Sequence, residues 1–238
     1  MGTETLIWSR PERGARGPRP THTRTTIAAA AVHIADTEGV EAVSMRRVAA
    51  HIGAGAASLY RYVSTKDDLY DLMLDAVAAE DAPLARTGDL RTDLAALAHR
   101  QRTGVLRHPW VATLSGLRPS FGPNTLRSME SAAALIDGHD LTANETLLTI
   151  ETLTAFVTGY VHAELAEHEA NRRSGMTVDQ WTEARAEYGR TIIGNPDFPT
   201  LTRIMTEATA PLAEDSFEQG LARVLDGLVA ARTTRCSR

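Results

Sequence analysis

Seven side chains between positions 44 and 66 are of the kinds that grip a polyanion. Arg46 and Arg47 follow Ser44, while Ser58, Tyr60, Arg61 and Tyr62 crowd a short stretch that leads to Lys66. A guanidinium presents a fork of donors that matches guanine O6 and N7 or a phosphate, and hydroxyls donate to phosphate oxygens. Lys66 opens a helix, so its ammonium and the free N–H groups of the first turn can share one phosphate. Other clusters carry less. His162, Glu164, His168 and Glu169 invite a metal reading, because Glu164 and His168 are i, i+4 neighbours on a helix. The two histidines diverge by more than a right angle, however, and lack the paired-imidazole spacing of a zinc site. A solvated helix end of mixed charge is the preferred reading, and neither metal nor cofactor is expected. No Ser-His-Asp order, Gly-rich phosphate loop or carboxylate pair stands out, so no catalytic residue is expected.

Helices must position these groups. Ile27, Ala31, Ile34 and Ala35 share one face up to Gly39, a natural stop. Ser44 caps a short helix from 45 to about 52, Gly53-Ala54-Gly55 breaks the chain, and a second short helix covers 56–62. Thr65 caps the next, with Asp67 and Asp68 where the helix dipole favours acids, and it runs to about residue 80. Beyond Pro83 the spacing predicts helices over 90–107, 109–117, 124–137, 143–170, 178–193, 199–207 and 215–232. Nothing alternates with period two, so no strands are expected. The predicted class is all-α, with a three-helix helix-turn-helix domain at 21–68 and a larger helical domain at 69–238. Residues 1–20 hold Pro11, Gly14, Gly17, Pro18 and Pro20 beside four arginines, which predicts a disordered basic arm.

Composition narrows the class further. The 238 residues are 43% hydrophobic and 23% charged, enough to bury a core without staples. The one cysteine, Cys236, excludes a disulfide scaffold and a cysteine zinc site and fits a reducing compartment. No apolar run approaches the ~18 residues of a membrane span, and no charged region precedes Leu6-Ile7-Trp8 as in a signal peptide. A cytoplasmic protein without membrane contact is expected. The net charge of −5 divides into +4 over residues 1–66 and −9 over the rest. A basic head on an acidic body points the head, and not the body, at a polyanion.

The residues of the head also carry a family resemblance. Thr-Ile-Ala-Ala-Ala-Ala-Val-His-Ile-Ala-Asp at 26–36, Gly39, Ser44-Met45-Arg46-Arg47-Val48-Ala49, Gly55 and the run Leu59 to Leu69 resemble the DNA-binding domain of TetR-family regulators. His108-Pro109-Trp110, Gly116-Leu117-Arg118-Pro119 and the stretch from Phe217 to Leu228 are similar, more loosely, to the tetracycline-repressor C-terminal class. The resemblance implies a homodimeric repressor that a small-molecule effector releases from a palindromic double-stranded DNA operator. It places Arg46 at a base-reading position and Ala56, Ala57 and Ser58 at the base-facing start of the recognition helix. Tyr60, Tyr62 and Lys66 fall on phosphate-binding positions, and Arg61 stands where an aromatic is common. Tyr60 has a competing reading, partial burial under the following helix.

In the acidic body, bulky and polar residues are candidates for a ligand site. A mostly apolar cavity with a few polar points is the usual form of such a site. The expected lining is Trp110, Leu114, Phe121, Phe156, Tyr160 and Trp181, with His99, Arg102 and Asn124 as orienting polar groups. Leu114 stands where the resemblance would put a metal-binding histidine, and Ala82 where it would put a second. A flat or hydrophobic organic effector is therefore expected, not magnesium-chelated tetracycline. Apolar stripes on 143–170 and 215–232 serve either as internal core or as a dimer face. Two rivals remain at this level. One is an activator or corepressor-type member of the same fold. The other is a helical carrier or enzyme whose N-terminal helix pair is structural.

Overall fold

Short polar residues with a free side-chain oxygen set where the helices begin. In the computed structural model, which describes residues 6–11, 22–115, 120–208 and 216–233, helices make up the architecture and no strand occurs among the described residues. Thr23 caps α1 (Arg24–Glu38), Ser44 caps α2 (Met45–His51) and, after α3 (Ala56–Leu59), Thr65 caps α4 (Lys66–Ala78). Each hydroxyl accepts an otherwise unpaired N–H of the first turn. Asp89 does the same for α5 (Leu90–Arg107), which leads through α6 (Trp110–Ser115) to α7 (Pro123–Ile136). Thr142 with Glu145, and Thr177 with Gln180, form reciprocal caps on α8 (Ala143–Ser174) and α9 (Val178–Ile192). The chain ends in α10 (Pro199–Glu207) and α11 (Ser216–Thr233).

The helices enclose two apolar cores. The head closes over Ile27 and Ile34 of α1, Val48 of α2, Leu59 of α3 and Leu69 and Met73 of α4. The body closes over Leu94 and Leu97 of α5, Leu135 and Ile136 of α7, Leu153 and Val157 of α8, and Leu221 of α11. α4 belongs to the head's core, packs on α1 and also contacts α7 of the body. The head's core thus runs past the expected boundary at residue 68 and draws in Trp110 and Leu114 of α6. The α11 stripe of Phe217, Leu221 and Leu225 is internal core. Among the described residues, no helix is long and apolar enough to cross a membrane.

The structure corrects the disordered arm over residues 6–11. Ile7–Ser9 form a single 3-10 turn whose Ile7 is fully buried in the head. Arg24 donates to the carbonyls of Ile7 and Arg10, both at 3.0 Å, and Arg10 pairs with Asp68 and donates to Ser64 Oγ at 2.7 Å. The small apolar patch Leu6-Ile7-Trp8 was enough to dock the chain, because the breakers lie only after it. Arg13, Arg16 and Arg19 lie outside the described residues. The second helix of the pair is also shorter than expected, ending at Leu59 with a turn through Tyr62.

Candidate nucleic-acid interface and ligand cavity

Gly53 turns the chain between α2 and α3 with a φ of +69°, a conformation that side-chain-bearing residues rarely adopt. The turn fixes α3 against the head through the buried Leu59 and leaves its other face outward. Arg46, Ala57, Tyr60, Arg61 and Lys66 are exposed, and Ala56, Ser58 and Tyr62 are half-buried. Tyr60 is 55% exposed, so much of the residue stays accessible to a partner.

The cations on this surface are not equivalent. Arg47 donates to both oxygens of Glu38, at 3.2 and 2.5 Å, so its fork is already occupied. Those hydrogen bonds hold the Glu38 carboxyl below its ordinary range. Arg61 donates to Ser58 Oγ at 2.8 Å, which ties two expected contact residues together. Arg46 makes no hydrogen bond or ion pair among the described residues and is free to reach a base. Lys66 stands 5.3 Å from the centre of the Tyr70 ring, with its charge unpaired among the described residues. Beneath it, Asp68 accepts the backbone N–H groups of Ser64 and Thr65 at 3.0 and 3.2 Å. Burial works against that carboxylate, yet Arg10 and these N–H groups hold it below its ordinary range. The start of α4 is therefore rigid, and Ser44 caps α2 by accepting the Arg47 N–H at 3.2 Å.

A cavity of about 370 Å³ opens where α4, α5, α7 and α8 meet. α4 supplies Leu74 and Val77, α5 supplies Gln101 and Val105, and α7 supplies Thr125 and Met129. Thr154 and Thr158 of α8, His108 and Ser120 complete most of the wall. A smaller hollow of about 170 Å³ adjoins it, lined by Asp81, Arg100, Asn124 and Arg127.

The nine residues expected to line the cavity stand elsewhere. Trp110 and Leu114 are buried in the head's core, and Trp110 Nε1 donates to Asp36 at 2.7 Å. Phe156 and Tyr160 pack on Phe217, and the Tyr160 hydroxyl bonds Ser216. His99 also lies against Phe217, and Arg102 sits 4.8 Å over that ring while gripping both oxygens of Glu164. Phe121 is exposed, and Trp181 is half-buried on α9. Asn124 comes nearest, in the smaller hollow, where its backbone and side chain donate to Asp75 at 2.8 and 2.9 Å. Of the large rings, Trp110, Phe156 and Tyr160 fill core, and Phe121 and Trp181 do not reach the cavity. The signal that was missed is a row of small hydroxyls, Thr154 and Thr158 beside the buried Leu153 and Val157, which marks an inner face that is not closed by apolar packing. Glu164 is committed to Arg102, the His168 side chain lies outside the described residues, and no group of three metal-ligating side chains forms among those described.

One polar cluster joins head to body. His108 is buried, with Nδ1 2.8 Å from Asp36 of α1 and Nε2 3.0 Å from Glu80 beyond α4. Burial pulls its affinity for a proton down, but the two carboxylates outweigh it and raise the imidazole's pKa. Burial opposes the Glu80 charge in turn, and His108 with Arg107 overcomes that and lowers it.

Residues 27–73 match the family described as bacterial regulatory proteins, tetR family, and residues 82–232 match the tetracyclin repressor-like C-terminal domain. The chain is 38% identical over 228 residues to the HTH-type transcriptional repressor DrrR1 of Streptomyces coeruleorubidus, covering 95% of this chain and 84% of that one. An HTH-type transcriptional regulator of Saccharopolyspora erythraea is 37% identical, over 74% of this chain and 75% of that one. Among solved structures, ActR of Streptomyces coelicolor in complex with actinorhodin superposes with a TM-score of 0.74 at 27% identity, over 91% of this chain and 99% of that one.

Proposed function

The chain belongs to the TetR family of bacterial regulators, and from that premise we propose how it works: as a homodimeric repressor released from a palindromic operator by an apolar or aromatic small molecule. The observation that carries this reading is the position of α4. Its first residue, Lys66, is exposed on the head, and its last turns, at Leu74 and Val77, form a wall of the cavity. A molecule that fits one placement of α4 better than another shifts the balance between DNA-binding and released states, with no bond made or broken. Arg46 reads a base edge, Tyr60 and Lys66 grip phosphates, and Ala56 and Ala57 permit close approach to the groove floor. Leu147 and Leu148, exposed near the start of α8, supply apolar surface for a second copy. Magnesium-bound tetracycline is not the effector in this account: Leu114 and Ala82 offer no donor, and Leu114 is buried in the head.

Sequencing the genomic fragments that the purified chain retains tests the reading. Protected sites should show inverted half-sites roughly one helical turn or somewhat more apart. Retention without any two-fold sequence, or no retention at low salt, overturns it. Release of the retained fragment by micromolar tetracycline with magnesium overturns the negative part alone.

A further inference from the structure

The charged groups of the cavity wall are unequally matched. Arg107 donates to Glu80 at 3.1 Å, and His108 lies between Asp36 and Glu80, so both cations have carboxylate partners. Asp81, which lines both the cavity and the smaller hollow, has neither a hydrogen bond nor an ion pair among the described residues. The nearby cations are engaged otherwise, Arg100 with the Ala82 carbonyl at 3.4 Å and Arg127 with Asn124 Oδ1 at 2.6 Å.

Two uncharged groups point the same way. Gln101 donates from Nε2 to Thr154 Oγ1 at 3.0 Å, which leaves its buried Oε1 without a donor. Ser120, nine-tenths buried, has a hydroxyl without a partner among the described residues. A buried acceptor without a donor costs free energy until something supplies one. The wall thus offers an unmatched carboxylate, an unmatched amide oxygen and a hydroxyl that can act either way, set among Leu74, Val77 and Met129. Among the described residues, both cations of this wall, Arg107 and His108, are paired with carboxylates.

We propose that the cavity takes a flat, largely apolar cation, an aromatic molecule bearing a protonated nitrogen, with Asp81 as counter-ion and Gln101 Oε1 as a second acceptor. This rests on the reading of the cavity as the effector site and adds the charge of the effector. In a site half removed from water, a single opposite charge discriminates strongly, since attraction grows as the effective dielectric falls. An anionic molecule of the same shape in the larger cavity would meet Asp81, while Arg100 and Arg127 line only the smaller hollow.

Three fluorescent three-ring probes separate charge from shape: 9-aminoacridine, cationic at neutral pH, acridine, neutral, and anthracene-9-carboxylate, anionic. Their binding to the full chain without DNA is measured by fluorescence titration. The cation should bind about tenfold or more tighter than the neutral ring, and the anion weakest. Asp81→Asn should bring cation and neutral ring within about threefold by weakening only the cation, whereas Asp81→Glu retains the preference. Gln101→Met should weaken 9-aminoacridine and leave anthracene-9-carboxylate unchanged. Gly104→Leu, which projects carbon into the cavity, should abolish binding of all three. Equal binding of the three probes, preference for the anion, or an unaltered order in Asp81→Asn overturns the charge assignment while the cavity remains an effector site. Binding that survives Gly104→Leu, or no binding of any probe, overturns the assignment together with its site.

Discussion

Replacing His108 by alanine cuts the polar joint between head and body. Two hydrogen bonds to carboxylates are lost, at 2.8 Å to Asp36 and 3.0 Å to Glu80, along with the ring packed 5.7 Å from Trp110. Hydrogen bonds to charged groups contribute about 1.5–3 kcal/mol each in general. The lower end applies here, because Asp36 and Glu80 are 31% and 39% exposed and stay partly hydrated. Asp36 also keeps Trp110 Nε1, and Glu80 keeps Arg107. The expected loss is about 3 kcal/mol near pH 6, or a fall in Tm of about 6–12 °C for a chain of this size. The pH dependence is the sharper part. The folded pKa of His108 is raised above its ordinary 6.5, so its contribution is fully present below that value and is lost as pH rises through the folded pKa. Thermal melts of wild type and His108→Ala between pH 5.5 and 9 should show a gap that is widest at the acid end and narrows upward. A gap that stays constant or widens with pH refutes the assignment of a charged imidazole at this joint.

Four further outcomes follow from named residues. Ile7→Ala should destabilise the head by about 2–4 kcal/mol in denaturant unfolding, because the side chain is fully buried; a change under about 0.5 kcal/mol, the range of surface substitutions, means the 3-10 turn is not docked. Gly122→Ala should cost about 2 kcal/mol, since a Cβ there runs into the Asp75 carboxylate that holds the N–H groups of Asn124 and Thr125 at the start of α7. Arg46→Ala should weaken operator binding by about 1–3 kcal/mol and relax preference at one base pair, while Lys66→Ala weakens all sequences alike and flattens the salt dependence. Arg47→Ala, already spent on Glu38, should change DNA affinity less than either, as fluorescence anisotropy on matched and scrambled duplexes will read.

The helices and the DNA-facing head were legible because their signals are local. Ser44 and Thr65 cap where hydroxyls before acidic or apolar turns should, and Gly53 takes the positive φ that its break required. The lining of the cavity was not legible, because ring size says nothing about which helix face a residue occupies. Trp110 went to the head's core through a bond to Asp36, a residue 74 positions away, and Phe156 and Tyr160 met Phe217 on α11. Gln101, Ser120 and Met129 look like ordinary surface and core residues until α4, α5, α7 and α8 are packed. Arg47 and Arg46 are identical in type, and only the tertiary placement of Glu38 tells the occupied guanidinium from the free one.

The most direct test of the account is release from DNA, measured on wild type and Gly104→Leu with the same retained fragment. Gly104 lines the cavity on α5, and a Cβ there meets only Asp81 Oδ2, at 3.8 Å, so leucine can enter the space without disturbing the helix. Small apolar molecules and the culture extract of the source cell are titrated against each protein–DNA complex by anisotropy. The account predicts that a molecule releasing the wild type leaves Gly104→Leu insensitive, with its DNA footprint unmoved. Release of both proteins at the same concentration would contradict the claim that the cavity controls the hold on DNA.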